Sequence, residues 1–222
     1  GDDPDAVLEN YRRMADALDM RVEDMVLSDQ THTTNVRVII EEDRGKGILK
    51  PQDYSDVDGM ITNVPGLVLA TFYADCVPLF FVDPEHNAVG LSHSGWMGTV
   101  GKIGKVTVEK MTEIFGTDPS RLYTAIGPSI CQECYEVSED VIDQFKEAFE
   151  EKYWDALFYE KPDGKYQLNL WEANRRIFLD AGIKEERISM PGICTCCNPL
   201  FLYSHRASHG KRGNLGAFIT VR

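Results

Sequence analysis

No stretch of this chain approaches the roughly 18 consecutive apolar residues that a membrane span requires. No basic start, apolar core and small-residue cleavage site marks an export signal. There is no internal repeat, no low-complexity tract and no Pro/Gly/Ser-rich linker. One domain spanning 1–222 is therefore expected. Positive charge is scarce: 23 Lys and Arg stand against 36 Asp and Glu, for a net charge of −13. That balance excludes nucleic acid as the main partner, because phosphate-backbone binding needs a basic face. It also argues against anionic membranes, and an anionic substrate would need a local cluster of Arg or Lys. Cysteine is too sparse for a disulfide scaffold. Without an export signal, Cys76, Cys131, Cys134, Cys194, Cys196 and Cys197 read as reduced thiols of a cytoplasmic protein. The chain opens at GDDPDAVLEN with no Met, so a natural start upstream is expected.

What is present is an interleaving of helical and extended patterns. DDPDAVLENYRRMADALDM predicts a helix capped by Asp3, with Pro4 in its first turn and Val7, Tyr11, Met14 and Leu18 on one face. NVRVIIEED predicts a strand. LVLATFYADCVPLFFVDP predicts one or two strands broken around Asp75 and Pro78, and NAVGLSHSG another. Residues 99–115 predict one helix despite two glycines, and RLYTAIGPSI a strand. SEDVIDQFKEAFEEKYW predicts a helix capped by Ser138, and NLWEANRRIFLDAG one capped by Asn169 and stopped by Gly182. The last 25 residues predict two strands around a basic glycine-rich loop. The irregular alternation points to an α/β (α+β) domain with mixed β-sheets flanked by helices, rather than a barrel or a doubly wound sheet.

Three residues can carry chemistry. His32 precedes a strand, Cys76 sits beside an acid in YADCVPLF, and His93 ends an apolar run. Together they would give three protein ligands and one free position, the pattern of a catalytic zinc. Such long-spaced ligands form no recognisable metal motif, and the spacing alone favours structural histidines and a small buried thiol. The same residues also suit a thiolate–imidazolium nucleophile, or a blue-copper site with Met97 as weak ligand. The pairs CQEC (Cys131, Cys134) and CTCC (Cys194, Cys197) have the spacing of a zinc clip. Lying far apart on no obvious knuckle turn, they read as ordinary thiols, with Cys196 left over. The run GWMGTVGKIG fits neither a Walker loop nor a dinucleotide fingerprint. Arg206, Lys211 and Arg212, beside His205 and His209, read as a solvated loop tip.

The ordered set Q-x-H, ADCVPLFFVDP, HSGW-x-GT, GPSI…CYEV and YSHR…GKRG resembles the YfiH or laccase-domain (multicopper polyphenol oxidase) family, which includes purine nucleoside phosphorylases related to laccase-domain-containing protein 1. The resemblance covers essentially the whole chain. It implies a single domain with mixed sheets, comparable to a toxin-deamidase-like cysteine hydrolase fold, and a further β segment before GDDP. It implies that His32, Cys76 and His93 converge as catalytic residues and metal ligands, with zinc as cofactor and copper as the alternative. It implies purine nucleosides and phosphate as small-molecule partners: phosphorolysis of adenosine, inosine, guanosine or methylthioadenosine, with adenosine deamination as a side activity. Copper-dependent phenol oxidation, cysteine hydrolysis and a weakened binding protein are the rival readings. One departure stands out, since Met97 occupies the place of the family's usual Arg in H-x-G-W-R-G. Arg206, Gln30 and Asp75 are the candidate substrate-binding or orienting residues. The oligomeric state is open between monomer and homodimer.

Overall fold

Asp3 starts the first helix. Its side chain accepts from the N–H groups of Asp5 and Ala6, Pro4 takes the first position, and α1 runs Pro4–Ala17. The computed structural model describes residues 2–222, so Gly1, the first residue of the expected domain span, lies outside the described residues. In chain order there follow β1 (Met25–Leu27), β2 (Val36–Val38), β3 (Gly59–Thr62), β4 (Val68–Tyr73), β5 (Val77–Asp83), β6 (Ala88–Ser94), α2 (Trp96–Val100), α3 (Ile103–Phe115) and β7 (Tyr123–Ile126). The second half holds β8 (Glu136–Val137), α4 (Glu139–Ala148), α5 (Trp154–Leu157), β9 (Phe158–Glu160), β10 (Tyr166–Leu168), α6 (Leu170–Asp180), β11 (Ile188–Ser189) and β12 (Leu215–Thr220).

The strands form a six-stranded sheet ordered β11-β7-β5-β6-β3-β2 and two three-stranded sheets, β1-β4-β12 and β8-β10-β9. The large sheet is mixed: β2–β3 and β7–β11 pair parallel, the other neighbours antiparallel. Strand alternation assigns each face its partner. Ile61, Leu79 and Phe81 point into a core shared with α3, α4 and α6. Met60, Val89 and Leu91 point the other way, against Val26, Leu69 and Ala217 of the small sheet β1-β4-β12. On the outer face of that sheet, Met25 and Val68 pack against α1 through Ala15, Leu8 and Tyr11. The large sheet and β1-β4-β12 are thus mixed and the architecture is helix-flanked, as expected, while β8-β10-β9 is antiparallel throughout. The long runs of β4 and β6 are apolar because both their faces are covered.

Four local expectations are corrected. The strand over NVRVIIEED stops at Val38, because the Asp43 carboxylate accepts the Ile40 N–H and closes a turn. The helix expected over 99–115 begins at Trp96 and is two helices, divided by Lys102 in the left-handed region at φ 58°. The helix after Ser138 ends at Ala148, where Phe149 turns extended and buries its ring; the Ser138 side chain makes no capping bond. Of the two closing strands only β12 forms. Leu200 and Phe201 stand exposed, so no buried alternating face exists upstream, and 198–211 is a run of turns.

Candidate metal centre

Antiparallel pairing of β3 and β6 aligns Gly59 with Ser92, and the backbone N–H of His93 donates to the Asp58 carbonyl at 2.7 Å. Alternation along β6 turns Ser92 and Ser94 toward the helices, where they bond Thr107, Thr99 and Asn174. His93 turns the opposite way, against the Tyr73 ring. Cys76 lies in the bend between β4 and β5, just after Asp75 at φ 88°. His32 sits on the 28–35 loop, itself left-handed at φ 66°. Such backbone is strained for a side-chain-bearing residue and persists only where its surroundings fix it. Here the fixing group is Asp58, whose carboxylate accepts the consecutive N–H groups of Thr31, His32 and Thr33.

The donor atoms of His32, Cys76 and His93 all lie within 4.8 Å of one another. Cys76 Sγ stands 3.9 Å from His32 Nε2, and the two imidazoles meet edge to face at 4.8 Å. Around a tetrahedral zinc, N and S donors stand about 3.4–3.8 Å apart, so one thiolate and two imidazoles in this arrangement fit such an ion and leave one position open. Copper accepts the same donors. Gly95 makes the approach feasible, because a Cβ there would lie 2.9 Å from His32 Cδ2 and 3.2 Å from Cys76 Sγ.

The charges are matched to that task. His93 Nδ1 pairs with Asp58 at 2.8 Å, leaving Nε2 free to face Cys76. Burial pushes the Cys76 thiol up, but hydrogen bonds from His32 and His93 outweigh it and hold Cys76 at about 6. Burial alone would lower His93; Asp58 and then Cys76 raise it to about 9. Burial works against the Asp58 carboxylate as well, yet His93 and the loop N–H groups keep it below the usual carboxylate range. The two shifts together favour a thiolate–imidazolium pair, and a metal held there would take the place of the imidazolium proton.

The remaining sequence candidates are placed differently. Gln30 uses its amide on both backbone groups of Phe72 and so ties the His32 loop to β4. Asp75 touches neither histidine; it accepts from Thr195 Oγ1 and the Arg206 N–H, each at 2.7 Å. The Arg206 guanidinium donates to the Cys134 and Glu136 carbonyls over the Tyr135 ring. The orienting carboxylate is Asp58, which sequence reasoning missed because an acid directly before a strand carries no spacing signal. Met97 is exposed on α2, two residues past Gly95. The four cysteines read as ordinary thiols, Cys131, Cys134, Cys194 and Cys197, instead converge. Long-range pairing of Ser129 with Cys194, invisible in the sequence, brings them together.

Comparison with known proteins agrees with this architecture. The family described as multi-copper polyphenol oxidoreductase laccase matches residues 1–222. Purine nucleoside phosphorylase YlmD of Bacillus subtilis (strain 168) is 40% identical over 222 residues, covering 99% of this chain and 79% of that protein. Adenosine deaminase RL5, from an unknown prokaryotic organism, is 36% identical over 207 residues, covering 93% of this chain and 78% of that protein. Among solved structures, the hypothetical protein YfiH of Bacillus licheniformis superposes with a TM-score of 0.94 at 34% identity, covering 100% of this chain and 83% of that one. On sequence and fold together, the chain belongs to the multi-copper polyphenol oxidoreductase laccase family.

Proposed function

We propose that the chain is a purine nucleoside phosphorylase with a secondary adenosine deaminase activity, working at His32, Cys76 and His93. Relatives bearing those two names support an enzyme acting on purine nucleosides. The observation that carries the reading is the convergence of the three donors around Asp58. Zinc is the proposed resident ion, with copper the alternative. In this reading 1–222 is one laccase-type domain of a cytoplasmic protein; among the described residues no helix is long and apolar enough to cross a membrane.

When bound, the ion supplies Lewis acidity at its open position. The chain's own groups divide the remaining work by burial. His32 is exposed on its loop, so its ring borders the space that reactants enter. His93 is buried and would offer its Nε2 to the ion, with Asp58 positioning the ring from Nδ1. In phosphorolysis a phosphate oxygen bonds to the anomeric carbon, the bond to the purine breaks, and the purine nitrogen takes up a proton. His32 is the group placed to hold or move that proton. In deamination water adds at C6 and ammonia leaves. Gln30 and Asp75 serve by fixing the loops that carry His32 and Cys76, and Arg206 by bracing the segment behind Asp75.

Incubation with adenosine, with and without phosphate, tests the reading. Phosphate-dependent release of adenine is the expected main product, with slower phosphate-independent formation of inosine. Phenol oxidation that strictly requires copper, with neither purine product, would overturn it. So would rapid Cys76-dependent hydrolysis of amides by metal-free protein.

A further inference from the structure

The segment that supports Asp75 has little of its own to hold it. From 190 to 214 it contains neither helix nor strand, and it is tied to the loop after β7 by one isolated bridge, Ser129 with Cys194. Leu200 and Phe201 are 90% and 86% exposed, so apolar burial contributes little there. The same segment carries Cys194 and Cys197, and the loop after β7 carries Cys131 and Cys134.

Each pair occupies a tight turn. The Cys134 N–H donates to the Cys131 carbonyl, and the Cys197 N–H donates to Cys194 Sγ at 3.3 Å. The Cys131 N–H crosses between the turns to the same Cys194 sulfur, also at 3.3 Å. Backbone N–H groups aimed at sulfur favour the thiolate, which is the form that binds metal. Cys134 and Cys197 sulfurs stand 3.5 Å apart, those of Cys131 and Cys197 3.9 Å, and all four lie within 4.8 Å. Four zinc–sulfur bonds of about 2.3 Å place sulfurs about 3.8 Å apart. Cys196 approaches Cys134 but packs against the helical core and stands outside the group of four whose donors are all within 4.8 Å of one another.

We propose that Cys131, Cys134, Cys194 and Cys197 form a closed structural zinc site, separate from the His32/Cys76/His93 centre. Four thiolates fill a tetrahedral shell, so no position remains for substrate. Binding releases the thiol protons and involves no redox change. The ion clamps the 190–214 segment to the loop after β7. Thr195, next to Cys194, then holds Asp75 through its hydroxyl, and Asp75 leads directly into Cys76. Arg206 reinforces the clamp by bonding the Cys134 carbonyl and, through its backbone, the other Asp75 oxygen.

The test is metal content and cobalt spectroscopy on the full chain. A His32→Ala/Cys76→Ser variant removes two of the other centre's three donors, leaves the buried Asp58–His93 pair intact and keeps the four cysteines. Purified under reducing conditions, it is expected to retain about one zinc per chain. Exchanged with cobalt(II), it should show intense tetrahedral bands with strong sulfur-to-metal charge transfer. Adding Cys134→Ser and Cys197→Ser should abolish both signals. A natively folded His32→Ala/Cys76→Ser chain that holds no zinc and gives no thiolate–cobalt bands would overturn the proposal, as would zinc retained after all four substitutions. If the quadruple variant does not fold, the cobalt spectrum of the double variant decides alone, because only sulfur ligands produce it. The outcome is independent of the activity proposed above: a wild-type chain holding one zinc, lost with His32 and Cys76, removes this site and leaves that reading standing.

Discussion

Asp58 accepts hydrogen bonds from three successive loop N–H groups and from the His93 ring while fully buried. Asp58→Asn keeps the shape but removes the charge that holds His93 in place. It is expected to weaken zinc binding and kcat/KM by about 10–100-fold, read by metal titration and steady-state kinetics on protein with native circular dichroism. The charge also sets the thiol. In metal-stripped protein, alkylation of Cys76 should fall away as pH drops through about 6, well below the ordinary thiol value of about 8.5. Because the His93 imidazolium helps lower Cys76, Asp58→Asn should move that midpoint upward. Met97 lacks the bidentate cation that phosphate favours. Met97→Arg should lower KM for phosphate by about 10-fold, the worth of one charge-assisted hydrogen bond, with KM for adenosine unchanged. The three donors were legible as candidates from residue type. Asp58 was not, since its importance comes from a strand register that places it beside a histidine 35 positions away.

Short elements position the site, and they are where sequence patterns fail. The helix read as one unit over 99–115 divides because Lys102 takes the left-handed region, letting α2 turn toward the His32 loop while α3 lies along the sheet. Gly101 sits so near that loop that a Cβ would fall 2.5 Å from Thr34 Cγ2. No local propensity encodes such a contact. The same holds for the turn after β2, where Asp43 accepts from Ile40 and pairs with Arg37 and Lys46 while almost wholly buried. Burial opposes ionisation of Asp43, but Lys46, the Ile40 N–H and Arg37 hold its carboxyl below the ordinary range. A lowered carboxylate stabilises the fold above its unfolded value, and that contribution disappears as pH falls through the folded value. Asp43→Asn should therefore cost about 3 kcal/mol near neutral pH and less in acid, as denaturant titrations at both pH values would show. Longer elements such as α1, α6 and β4 to β6 were readable, because each has a sustained period and caps or turns of recognisable chemistry.

Across the whole molecule, stability is uneven. The layers around β4 and β6 bury nearly every side chain, whereas 190–214 leans on hydrogen bonds and on the four cysteines. Hydrogen exchange should accordingly be fastest in 190–214 once zinc is stripped, with the α3 amides, remote from both clusters, unchanged; slowing of that segment on zinc addition is the expected reversal. Assembly through long-range pairs also explains why only the second of the two strands expected at the end of the chain forms, since the order of the preceding segment comes from partners at Ser129 and Asp75. The buried Asp58–His93 pair has a further consequence for how this lineage can diverge. Replacing His93 alone would strand a negative charge in the core at a cost of about 3–5 kcal/mol. A descendant that abandons this chemistry must then change both residues together, or pass through ancestors too unstable to persist. The centre is thereby protected from gradual decay by the fold that surrounds it.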